Sequence, residues 1–138
     1  MIELHATAQD YRKALPAIRD LRSTNSATWT LWVNLLRSQY AAPEHSIGLA
    51  ALAEQAKLTS GNIAGLRYAA LGEAIAKQLG YVPPNKTQGD KKPMWWTTLS
   101  TALHSDDKDP TFKLTMRPEL VEAIELMGWV KPQPAPQA

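Results

Sequence analysis

Cysteine is absent from all 138 residues. That excludes a disulfide scaffold, a thiolate zinc site and a cysteine nucleophile, and it agrees with a reducing compartment. An excess of charge of one sign is also lacking. Fifteen basic against thirteen acidic side chains leave a formal charge of +2, too small for the total alone to announce nucleic acid. No stretch reaches the roughly eighteen uncharged apolar residues of a membrane-spanning helix. The opening MIELHATAQDYRK has neither the basic start nor the apolar core of a secretory leader. The expectation is a cytoplasmic protein with no membrane association.

Catalytic patterns are missing as well. GNIAG lacks the preceding strand and following lysine of a phosphate-binding loop. His5, His45 and His104 stand far apart, none with a second histidine at ligand spacing. Asp106, Asp107 and Asp109 lack the glycine and distal glutamate of a calcium loop, so they read as a solvated turn. Glu119, Glu122 and Glu125 recur every three residues, as on a solvated helix face. The expectation is a non-enzymatic protein without metal or cofactor.

The content that remains is globular. A 44% hydrophobic, 20% charged chain of this length can bury a core unaided. A single helical domain is expected over residues 1–130, with a flexible proline-rich tail over 131–138. Tyr11, Leu15, Ile18 and Leu21 form an apolar stripe on a first helix, which Pro16 should bend or divide. In SATWTLWVNLLRSQY, Ser26 can cap a helix whose Trp29, Trp32, Val33, Leu36 and Tyr40 follow helical spacing. Ser46 should open the next helix, SIGLAALAEQAKL, with Ile47, Leu49, Ala50, Ala53 and Leu58 apolar.

GNIAGLRYAALGEAIAKQLG reads as one long helix, capped by Ser60 or Asn62 and stopped by Gly80. At about 100° per residue, Ile63, Leu66, Ala70, Leu71, Ala74, Ile75 and Leu79 form its apolar arc. Gly65, Ala69, Gly72 and Ala76 share a band about 60° wide, with no long side chain to hold a neighbour away. Either another element of the chain packs close there, or the band is an interface for a partner.

YVPPNKTQGDKKP, residues 81–93, reads as an exposed basic loop. MWWTTLSTAL suits a helix better than a strand, and of the adjacent Trp95 and Trp96 one should be exposed and available as an interface. TFKLTM alternates as a half-buried strand with Phe112, Leu114 and Met116 inward. Pro118 starts a closing helix over 118–127, with Leu120, Val121, Ile124 and Met127 inward and Gly128 as its stop. The fold class expected is mainly α: five to six helices with a small β-hairpin or wing.

Charge is distributed unevenly. Residues 57–92 hold six basic side chains against two acidic ones, whereas residues 93–138 hold four against six. Running into that basic block, LAALAEQAKLTSGNIAGLRYAAL resembles a helix-turn-helix: an alanine-rich first helix, a short turn with glycine, and aliphatic Ile63 early in the second. With the loop, hairpin and closing helix that follow, residues 46–117 resemble a winged helix, with 46–80 as its core and 94–117 as its wing.

The resemblance implies binding to double-stranded DNA, as a regulator or accessory factor. Thr59, Ser60, Asn62 and Arg67 would then stand at the helix entrance that meets a groove. Lys57, Lys77, Lys86, Lys91 and Lys92 would neutralise phosphates. The exposed positions of the second helix hold few side chains that read bases. That feature suits an alternative, a protein-binding adaptor or inhibitor of the kind a phage or mobile element encodes. The sequence leaves the oligomeric state open.

Overall fold

A computed structural model of the chain describes residues 6–21, 25–81, 94–102 and 112–130. It is mainly helical: α1 Ala8–Arg19, α2 Ser26–Ala41, α3 Leu49–Gln55, α4 Gly61–Leu79 and α5 Pro118–Leu126. Three short strands, β1 Ser46–Ile47, β2 Ser100–Thr101 and β3 Leu114–Met116, form an antiparallel sheet in the order β1-β3-β2. The first strand precedes the helix pair α3–α4 in sequence, yet it closes the sheet on the hairpin that follows the pair.

Local chemistry accounts for the helix ends. Thr7 and Asp10 form a reciprocal capping box at the start of α1. Pro16 lies inside α1 without dividing it. Asn25, rather than Ser26, caps α2, its side-chain oxygen accepting from the Thr28 N–H at 2.8 Å. Ser60 caps α4 as expected, accepting from the Ile63 N–H. Gly80 stops α4 in the left-handed region at φ 71°, a conformation that glycine adopts without strain.

One core gathers all five helices and the sheet. Tyr11, Leu15 and Ile18 of α1 lie buried, in a helix that packs against α4 and α5, while Leu21 at its end is exposed. In α2 the inward face is Trp32, Leu35, Leu36, Gln39 and Tyr40, with Trp29 and Val33 only half-buried. Leu120, Ala123 and Ile124 bury α5, with Val121 and Met127 half-buried beside them. Phe112, Leu114 and Met116 point inward and Lys113 outward, as their alternation requires.

Two segments depart from the sequence reading. Ser46 belongs to β1, where its Oγ accepts from Thr115 Oγ1 at 3.0 Å, and α3 starts only after Gly48. Residues 94–101 form a 3-10 helix, Trp95–Thr98, running into β2 rather than an α-helix. The cause lies outside the segment. Arg117 Nε donates to the Thr97 carbonyl at 2.7 Å, the Arg117 N–H donates to the Leu99 carbonyl, and β3 pairs with Ser100 and Thr101. These long-range hydrogen bonds override local helix preference.

Candidate nucleic-acid interface

The turn between α3 and α4 is built by hydrogen bonding rather than by glycine. The Leu58 N–H reaches back to the Ala53 carbonyl and the Lys57 N–H to the Glu54 carbonyl, which puts Lys57 at the position that commonly holds glycine. Lys57 accordingly adopts φ 61°, in the left-handed region that a side chain disfavours by about 1 kcal/mol. Its side chain is exposed.

From this turn α4 emerges with Thr59, Ser60, Asn62 and Arg67 all exposed. Ser60 is also the cap, so its Oγ already serves a backbone N–H. Neither Lys57 nor Arg67 enters an ion pair among the described residues. Lys77 differs: it is exposed, but Glu73 holds it at 2.9 Å one turn away. Lys86, Lys91 and Lys92 lie outside the described residues, as do most of the 81–93 loop, His5, His104, Asp106, Asp107, Asp109 and the 131–138 tail.

The two faces of α4 are not those the aliphatic arc indicates. Ala64, Tyr68, Leu71, Gly72, Ile75 and Ala76 face the core. Leu66 and Ala70, placed inward by the arc, face out with Asn62, and Leu66 is 66% exposed. Tyr68 turns the helix. Its ring fills the core, and its hydroxyl donates to Gln39 Oε1 at 2.7 Å and meets Ser100 Oγ. Gln39 Nε2 in turn donates to Ser100 Oγ at 2.8 Å and to the Leu114 carbonyl at 3.0 Å.

This buried network joins α2, α4, β2 and β3, and it sets which side of α4 faces away. A second buried phenol, Tyr11, donates to the Thr98 carbonyl at 2.6 Å. Burial pushes both phenols above their ordinary range, so they remain protonated donors.

The Gly/Ala band divides between two surroundings. Gly72 and Ala76 are buried, and Gly72 lies directly against the Trp95 carbonyl, so at this end the chain's own 3-10 helix makes the close approach. Gly65 and Ala69 are half-buried, with Leu49 of α3 nearest to Gly65. Trp95 and Trp96 are both half-buried rather than one in and one out. Trp96 packs edge-on against Phe112 at 5.5 Å.

The sequence gives no sign that Arg37 lies near the turn. A shallow groove of about 630 Å³ is lined by Asn34, Arg37 and Ser38 of α2, by Gln55 and Lys57, and by Val130. Arg37 lies outside the basic block, and only the packing of α2 beside the end of α3 brings it to the groove that Lys57 lines. The carboxylates of α5 also separate. Glu119 and Glu122 are exposed, whereas Glu125 accepts from the Tyr40 hydroxyl at 2.6 Å. His45 stacks on Tyr40, and its Nδ1 lies 2.7 Å from the Tyr40 carbonyl, a structural position.

Among the described residues, no group of three or more His, Cys, Asp or Glu side chains could hold a metal ion, and no helix is long and apolar enough to cross a membrane. No protein-family model, no curated protein and no solved structure matches the chain.

Proposed function

We propose that this chain is a non-enzymatic, winged-helix-like protein that binds double-stranded DNA, a regulator or accessory factor that presents the start of α4 to the major groove. The observation that carries this reading is the outward face of α4. It begins at a capped turn, displays Asn62 and an Arg67 outside any ion pair among the described residues, and belongs to a helix pair braced by a small sheet. In a helix-turn-helix, these are the positions that approach base edges. The strand order β1-β3-β2, with β2 and β3 following the helix pair, supports a wing. Lys57 and Arg37 supply positive charge beside the turn, where phosphates would pass.

The protein-binding alternative draws on the few base-reading side chains of α4 and on the exposed Leu66. It predicts that no duplex is retained at any salt concentration.

Lys57→Gly separates fold from function. Removing the strained side chain should stabilise the fold by about 1 kcal/mol. The same change should weaken binding to duplexes of any sequence, and the slope of log affinity against log salt should fall by about one for the lost phosphate contact. Paired denaturation and fluorescence-anisotropy titrations measure the two effects. A stabilised variant with unchanged affinity and slope would remove Lys57 from the interface.

A further inference from the structure

We infer that the shallow groove between α2 and the end of α3 seats a backbone phosphate of the bound duplex, with Arg37 as the cation that acts beside Lys57, so that α2 is part of the DNA interface. The inference rests on the DNA reading above and deepens it.

The groove is polar on both sides. Asn34, Arg37 and Ser38 stand at helical spacing on one face of α2, and Gln55 and Lys57 come from the end of α3 and its turn. None of these five side chains has a hydrogen-bond or ion-pair partner among the described residues. Arg12, Arg19 and Arg117, by contrast, each donate to an acceptor of the chain itself. No carboxylate lines the groove among the described residues, and Glu54, just before Gln55, does not reach it. Two uncompensated cations and three neutral polar side chains therefore share one depression. All five are residue types that bind phosphate oxygens, and the arginine fork can take two oxygens at once.

Helix-end compensation does not account for the pair. Arg37 stands before the last turn of α2. The Leu52, Ala53 and Glu54 carbonyls that close α3 are already taken by the N–H groups of Ala56, Leu58 and Lys57. Glycine at position 57 would make the same turn without strain, whereas Lys57 holds φ 61°. What the lysine adds there is a cation at the groove, and strained backbone of this kind gathers at ligand sites.

Charge complementarity makes the occupant an anion, and position makes it the duplex. Lys57 lies two residues before Thr59, so the groove is continuous with the entrance of α4. In a helix-turn-helix the first helix crosses the sugar-phosphate backbone, and α3 holds that place here. The polar face of α2 extends the same path.

The test uses the full chain, two fluorescent duplexes of unrelated sequence and a fluorescent polyglutamate peptide, each titrated over a range of salt. Arg37→Gln should weaken both duplexes by the same factor, about tenfold at about 50 mM salt, and lower the slope of log affinity against log salt by about one. Arg37→Lys should keep the slope, because the charge remains. Lys13→Gln, an exposed charge of α1 that does not line the groove, measures what the loss of any one charge does, and should leave the slope unchanged. Thermal unfolding of Arg37→Gln should match that of the unaltered chain, since the side chain is exposed and has no partner to lose.

Duplex binding in which Arg37→Gln behaves as Lys13→Gln does overturns the groove inference and leaves the DNA reading standing. A lowered unfolding temperature with unchanged duplex affinity assigns Arg37 to the fold instead. Loss of peptide binding alone in Arg37→Gln makes the groove a site for an acidic protein segment and overturns the inference. If no duplex is retained at low salt, the DNA reading fails and this inference fails with it.

Discussion

Gly72→Ala is expected to destabilise the fold by about 3 kcal/mol, although alanine is the better helix former by about 1 kcal/mol. A Cβ at this position would lie 2.2 Å from the Trp95 carbonyl oxygen and 2.8 Å from its carbon. Both are backbone atoms, so no rotamer change relieves the clash. Either α4 or the 3-10 helix Trp95–Thr98 must retreat. The latter is held by Arg117 at the Thr97 carbonyl and by its continuation into β2.

Gly65→Ala provides the contrast within the same helix. Its Cβ would meet the end of the Leu49 side chain at 3.4 Å, an ordinary contact with a movable group. Helix propensity should then prevail, with a gain of up to about 1 kcal/mol. Urea denaturation of the two variants measures the difference. Equal stabilities would contradict the close approach that the structure assigns to Gly72.

Gln39→Ala is expected to cost about 3 kcal/mol through a different mechanism. Gln39 is fully buried and is the hub of the network joining Tyr68, Ser100 and the Leu114 carbonyl. Its loss leaves a cavity and strands polar groups that water does not reach, and a buried unsatisfied group costs about 1–3 kcal/mol. Tyr68→Phe should cost less, because it leaves no cavity and Gln39 Nε2 keeps both its acceptors, Ser100 Oγ and the Leu114 carbonyl, although Gln39 Oε1 loses its donor. The double variant Gln39→Ala/Tyr68→Phe should lose at least about 1 kcal/mol less than the two losses added, as expected of residues in direct contact. Strict additivity in chemical denaturation would show that the network does not act as a unit.

These two sites show why the sequence was legible in some places and not in others. Caps, stops and the alternation of residues 112–116 depend on neighbours a few positions away, so Ser60, Gly80, Pro118 and Gly128 could be read directly. The orientation of α4 depends on Gln39 and Ser100, 29 and 32 residues from Tyr68. An arc drawn through aliphatic residues alone therefore put Leu66 inside. Residues 94–101 carry local signals for helix, yet Arg117 and β3 settle their conformation.

The candidate site divides in the same way. Thr59, Ser60, Asn62 and Arg67 come from the resemblance to a helix-turn-helix, and each of them is exposed. Arg37 enters only through the packing of α2 beside α3. The part of the Gly/Ala band at Gly72 and Ala76 is taken up by the chain's own backbone, a use that composition cannot distinguish from a partner surface.

Amide mapping tests the central claim most directly. A short duplex is titrated at low salt into the isotope-labelled full chain while backbone amide resonances are followed. The DNA reading predicts shifts concentrated at residues 57–70, centred on Asn62, Leu66 and Arg67, that recede as salt is raised. Shifts confined to α1 and α5, or no shifts at any salt concentration, would contradict it.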